Sequence, residues 1–196
     1  MMEQINSDDR RKRGEREMKR TIVLVMLFQL VAFTTAFALI NEGMQAPEFT
    51  VTSGDGAEMT LQKLIGTVTT IFYETKAKEI IEKNRALKNE LNLFYSGQTD
   101  SIKKSISRVV IIDCRKASWP FTGIWKSTLV ENSKKEGIMI YGDWDGMFAK
   151  NYYIMDEETN FLIVDKKGAV RYSKSGQIEK NEIYKIKTLL TKLSEE

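Results

Sequence analysis

Three groups of residues carry types and spacings that could do chemistry. The first is Cys114, the single cysteine, followed by Arg115 and Lys116. A thiolate flanked by cations is a nucleophile, and the activity this allows is that of a single-cysteine peroxidase or a mixed-disulfide adaptor. The competing reading is a small buried hydrophobe at a strand end, since "VVIID" runs straight into it. The second is the pair Asp143 and Asp145 in "GDWDG". An EF-hand needs alternating oxygen ligands after its glycine, and "MFAKNYYI" lacks them. The spacing therefore predicts a turn before a helix, with Asp145 bonding back to the chain. The third is the cation set Lys76, Lys78, Lys83, Arg85 and Lys88. Lys76 and Lys78 open a helix, where an anion could be held, but Glu79, Glu82 and Glu90 make the set equally a solvated face.

Chemistry is also excluded. The chain has no histidine, which rules out a Ser-His-Asp or Cys-His nucleophile and leaves no zinc site to expect. One cysteine cannot form an intramolecular disulfide. No cofactor motif is present. The formal net charge is +3, but residues 1–38 hold seven Lys/Arg against five Asp/Glu, so the rest is nearly balanced. No basic stripe with interleaved aromatics points to nucleic acid. The densest aromatic cluster is Trp119, Phe121 and Trp125, with Ile124. Two readings stand: core packing, or a contact surface for a protein partner, because Pro120 and Gly123 mark a loop.

The elements that must position these residues follow from the hydropathy pattern. "RRKRGEREMKR" precedes the apolar run "TIVLVMLFQLVAFTTAFALI". Ala36-Phe37-Ala38 fits a secretory cleavage site, giving a signal peptide over 1–38 and a domain over 39–196. The alternative is an uncleaved anchor over 21–40, which is 20 residues and long enough to span a bilayer. Either way the rest of the chain is expected in the periplasm or cell envelope, and contact with a membrane is expected only through that segment.

Leu39 to Ala46 reads as an exposed lead-in. "PEFTVTS" is a short strand with Phe49 and Val51 inward, and "MTLQKLIG" a helical turn. "TVTTIFY" and "SRVVIIDC" are buried strands. Lys76 to Tyr95 is one long amphipathic helix, and Gly97 to Ser107 a polar connection. Ile124–Glu136 is a helix, "GIMIYGD" a strand and "MFAKNYYI" a helical turn. "NFLIVDKKGAVRY" is a hairpin and "EKNEIYKIKTLLTKL" a closing helix. Strands alternating with helices predict an α/β fold: a mixed sheet of about five strands with helices on both faces.

"APEF", the "GDG" lead into the first core strand, "YGDWDGMFAKNY" and "FLIVDKKGAV" together resemble thioredoxin-like domains. Within that superfamily "EKNRALKNEL", "VVIIDCRKASWPFTGIWKSTLVENSKKEG" and "GQIEKNEI" are similar to the YtfJ-type family of small exported bacterial proteins. The resemblance covers about Gly43 to Leu193 and implies a three-layer thioredoxin-like fold and an envelope location, without an assigned activity. Redox-active relatives carry Cys-x-x-Cys in the turn after the first core strand; here that turn is Glu74, Thr75, Lys76, Ala77, Lys78. They also carry a cis-proline facing it; here Glu158, Thr159 and Asn160 occupy the place. These two departures argue against dithiol exchange and leave a binding or assembly module as the expected function. Its candidate binding residues are Lys76, Lys78, Thr159 and Asn160 beside the aromatic cluster, and its partner an envelope protein.

Overall fold

The structure, a computed structural model, describes residues 39–75 and 78–196. In chain order the elements are β1 (Thr50–Ser53), β2 (Glu58–Thr60), α1 (Leu61–Leu64), β3 (Val68–Glu74), α2 (Lys78–Lys83), α3 (Arg85–Ser96), α4 (Asp100–Ser105), β4 (Ile106–Asp113), α5 (Thr122–Glu136), β5 (Ile140–Asp143), α6 (Met147–Asn151), β6 (Asn160–Val164), β7 (Val170–Ser175) and α7 (Lys180–Glu195).

One sheet runs in the order β2-β1-β5-β4-β3-β6-β7. β3, β4 and β5 are parallel, and β1, β2, β6 and β7 pair antiparallel around them. The continuous apolar runs of β3 and β6 are buried along their whole length, as central strands covered on both faces must be. Alternation splits the core in two. Ile71 and Tyr73 join Phe49, Phe148 and Tyr152 on the α1/α6 side. Phe72 joins Leu87, Leu91, Ile183, Ile186 and Leu190 on the α3/α7 side. The first half is an aromatic stack, with Phe148 lying 4.1 Å from Tyr152 and 5.6 Å from Tyr73.

The sheet has seven strands rather than about five. Glu58–Thr60, whose last two residues read in sequence as the start of a helical turn, adds an edge strand because β1 offers it a free ladder. At the far edge the hairpin extends to Ser175, turning on Gly168 at φ +81. Asp165 holds that turn by accepting from the Lys167 and Ala169 amides.

Three expectations are corrected. The single helix over Lys76–Tyr95 is two helices parted at Asn84, whose side chain is 1 % exposed and bonds to the β7–α7 connection instead of sitting on a helix face. The connection after Gly97 contains α4, started by the Thr99 hydroxyl accepting from the Ile102 amide. The lead-in is exposed only over 41–45. Leu39, Ile40 and Ala46 are buried in the core, with Ile40 donating to the Tyr152 carbonyl at 3.0 Å.

Candidate functional site

In a sheet of this kind the carboxyl ends of the parallel strands converge, and side chains that do chemistry gather there. β3, β4 and β5 end in Glu74, Asp113 and Asp143. Each carboxylate is handled differently.

Asp143 is buried under the aromatic stack. It accepts from the Phe148 and Ala149 amides at 3.3 and 3.0 Å and from the Tyr73 hydroxyl at 3.1 Å. It therefore ties the start of α6 to β3. Burial holds its carboxyl above the usual range against those three donors. Burial likewise pushes Tyr73 up, with Asp143 adding to it. Asp145 bonds back to the Met147 amide at 3.0 Å, which is a turn before a helix.

Asp113 is paired with Arg115 through two side-chain bonds of 2.9 and 2.8 Å, and the same guanidinium reaches Asp156 at 2.5 Å. Burial opposes ionisation of Asp113, but the Arg115 bonds outweigh it and leave its carboxyl below the usual range. Gly146, at φ +74, leaves room for this arginine: a Cβ there would lie 2.6 Å from Arg115 Cδ. Glu74 is 3 % exposed and pairs with Lys88 at 2.5 Å. Burial holds it above the usual range, and Lys88 offsets part of that. Among the described residues no group of three Asp, Glu or Cys side chains is placed to hold a metal ion.

Cys114 sits one residue beyond β4 and is 0 % exposed. It belongs to a small cluster with Leu129 and Ile140, edged by Trp125 and Trp144. A Cβ on Gly142 would fall 2.9 Å from its Sγ and 2.7 Å from the Trp144 ring, so thiol and indole close over that glycine. The neighbouring Arg115 is committed to two carboxylates.

Asn160 opens β6 and pairs with Tyr73 near the end of β3, and both it and Thr159 are 0 % exposed. The Asn160 amide is consumed locally. Its Nδ2 donates to the Met155 and Glu158 carbonyls, and its Oδ1 accepts from the Met155 amide and Ser175 hydroxyl. The Thr159 carbonyl accepts from the Gly176 amide at 2.8 Å. Lys76 lies outside the described residues, as does the side chain of Lys78. Behind them, Lys83 pairs with Glu158 at 2.7 Å and Asn84 reaches Thr159, so α2 is clamped to this segment.

The aromatic cluster divides. Trp119 is 88 %, Phe121 58 % and Ile124 62 % exposed, the first two on the loop into α5 and the third in its first turn. Trp125 turns inward and is half-buried beside Leu129. Two surface clefts lie elsewhere. One of about 300 Å³ is bounded by Ser53, Asp55, Ser133 and Lys134, and one of about 430 Å³ by Glu90, Leu93, Tyr184 and Lys187.

The Asp113–Arg115–Asp156 bridge and the Asn84 clamp were not anticipated from sequence. The alternation Asp113-Cys114-Arg115 is a signal for the first, because it sets acid and base two residues apart at a strand end. Nothing local marks the second.

A family described as "Bacterial protein of unknown function (YtfJ_HI0045)" matches residues 58–193. The chain belongs to that family. No curated protein matches it. Among solved structures, a protein from Bacteroides thetaiotaomicron described as a protein disulfide isomerase superposes with a TM-score of 0.59 at 17 % identity, covering 81 % of this chain and 95 % of its own. One from Chlorobium tepidum described as the thiol:disulfide interchange protein DsbE gives 0.59 at 15 %, covering 79 % and 99 %. The thiol peroxidase from Chromobacterium violaceum gives 0.57 at 16 %, covering 79 % and 88 %. The YtfJ-family chain therefore has a thioredoxin-like fold with a seven-stranded mixed sheet.

Proposed function

We propose that this YtfJ-family chain is an exported, redox-inactive thioredoxin-like domain that acts as a binding or assembly module in the cell envelope. One observation carries the reading: the only sulfhydryl is sealed at 0 % exposure while Trp119, Phe121 and Ile124 stand out in solvent. A thiol that exchanges or reduces peroxide must be reached by its substrate. Three large apolar side chains exposed within six residues of chain are what a partner's pocket covers. The polar atoms facing the strand–helix turn support it too, because the Asn160 amide is spent on its own neighbours. The working surface is therefore the loop before α5 with the first turn of that helix, residues 119–124.

The test has two arms. Wild type and Cys114→Ser are assayed with insulin, glutathione and peroxide; both are expected to be inert. A photo-reactive residue at Phe121 is expected to crosslink one envelope protein that the same residue at Tyr184 does not. Turnover of any of the three substrates that Cys114→Ser abolishes overturns the proposal in favour of a single-cysteine peroxidase or adaptor.

A further inference from the structure

The lead-in enters the domain without slack. Leu39 and Ile40 are 6 % and 2 % exposed, and hydrogen bonds follow at once: Ile40 to the Tyr152 carbonyl at 3.0 Å, Gly43 to Val170 at 2.7 Å and Ala46 to Gly168 at 2.8 Å. The apolar run Thr21–Ile40 ends on these same residues. A chain advances at most about 3.6 Å per residue, so an embedded run retained on the protein would bring this face within the headgroup layer.

The surface around that entry has the matching composition. Met44 is 47 %, Ile65 43 % and Tyr153 53 % exposed. All three border the lead-in: Tyr153 follows the residue that bonds Ile40, the Met44 carbonyl accepts from the Val170 amide, and Ile65 lies against Gly168 beside Gln45. Lys150, whose carbonyl accepts from the Tyr153 amide, and Lys167, whose carbonyl accepts from Gln45 Nε2, lie beside them, while Lys63 Nζ is turned to the Glu58 carbonyl and Lys166 Nζ to the Ser194 carbonyl. Apolar and aromatic side chains flanked by lysines are the chemistry of an anionic lipid interface. On the opposite side of the sheet, α3 and α7 also expose Leu93 and Tyr184, but no membrane-length apolar run ends there.

From this juxtaposition we infer that the lead-in face, Met44, Ile65 and Tyr153 with Lys150 and Lys167, is a bilayer-contact surface that takes anionic phospholipid headgroups. It rests on retention of the apolar run and is independent of the aromatic loop, so either proposal can fail alone.

The test uses the full chain in vesicles of phosphatidylglycerol and phosphatidylcholine. Single nitroxide labels are placed through Ile65→Cys, Tyr153→Cys, Phe121→Cys and Tyr184→Cys, with the unsubstituted chain measuring labelling at Cys114. Accessibility to a water-soluble nickel chelate is read on each. Labels at 65 and 153 are expected to lose accessibility several-fold on phosphatidylglycerol vesicles, while 184 stays unchanged. Lys150→Glu with Lys167→Glu is expected to restore it, each lysine weakening contact roughly fivefold. Labels at 65 and 153 as accessible as the one at 184 overturn the inference, whether or not the chain is held on the vesicle. Protection at 121 instead moves membrane contact to the aromatic loop and overturns it too.

Discussion

Replacing Asn84 by alanine is expected to destabilise the domain by about 3 kcal/mol. The residue is 1 % exposed. Its Oδ1 accepts from the Ile178 amide at 2.9 Å, and its Nδ2 donates to the Gly176 carbonyl at 3.1 Å. A longer bond of 3.4 Å runs to the Thr159 hydroxyl and contributes little. Truncation leaves one buried amide and one buried carbonyl unpaired, each costing roughly 1–3 kcal/mol. Urea unfolding followed by circular dichroism reads the loss; with a slope of about 2 kcal/mol/M the midpoint falls by about 1.5 M. Asn84→Asp sharpens the argument. It keeps the acceptor for Ile178 and puts a carboxylate in a site that disfavours charge, so its folded pKa is raised above the unfolded one. The deficit against wild type is then smallest at low pH and grows as pH rises through the folded pKa. A loss below about 1 kcal/mol for Asn84→Ala, or a pH-independent deficit for Asn84→Asp, refutes the clamp.

Three further outcomes follow from the same geometry. Gly142→Ala must push Trp144 or Cys114 aside, so it should cost about 1–3 kcal/mol and speed the reaction of Cys114 with a thiol reagent on native protein. Asp143 has a folded pKa raised by burial, so its contribution is fullest below its ordinary 3.8 and declines as pH rises through the folded value. Asp143→Asn should remove that decline, which pH-dependent urea melts of the two proteins will show. Trp119→Ser and Phe121→Ser should each change stability by less than about 0.5 kcal/mol, because their side chains are mostly in water. Trp125→Ala should cost about 2 kcal/mol, since half of the indole covers the Leu129 cluster; thermal melts separate the two classes.

Much of the architecture was legible in the chain because it depends on local pattern. Continuous β-branched and aromatic runs specify β3 and β4 as strands, but only β3 is buried along its length; β4 is buried at Ile106, Val109 and Ile111 and half-buried between them, not covered on both faces as its apolar run suggests. The spacing of Ile183, Ile186, Leu190 and Leu193 specifies the closing helix, and Asp-Lys-Lys-Gly specifies the hairpin turn. The missing sulfur pair is equally a matter of sequence, since the chain holds one cysteine and no histidine. What the chain could not reveal are relations between residues far apart along it. A helical pattern runs straight through Asn84, and only partners 75 to 94 positions away break it. Leu39 and Ile40 read as an exposed lead-in because the surface that buries them is built by Tyr152 and Val170. Arg115 stood as the neighbour of a thiol until Asp113 and Asp156 claimed its guanidinium. Periodicity records which residues avoid water. Which of Trp119, Phe121 and Trp125 reaches the core depends on where the loop enters α5, and that is decided when the sheet and helices close on one another.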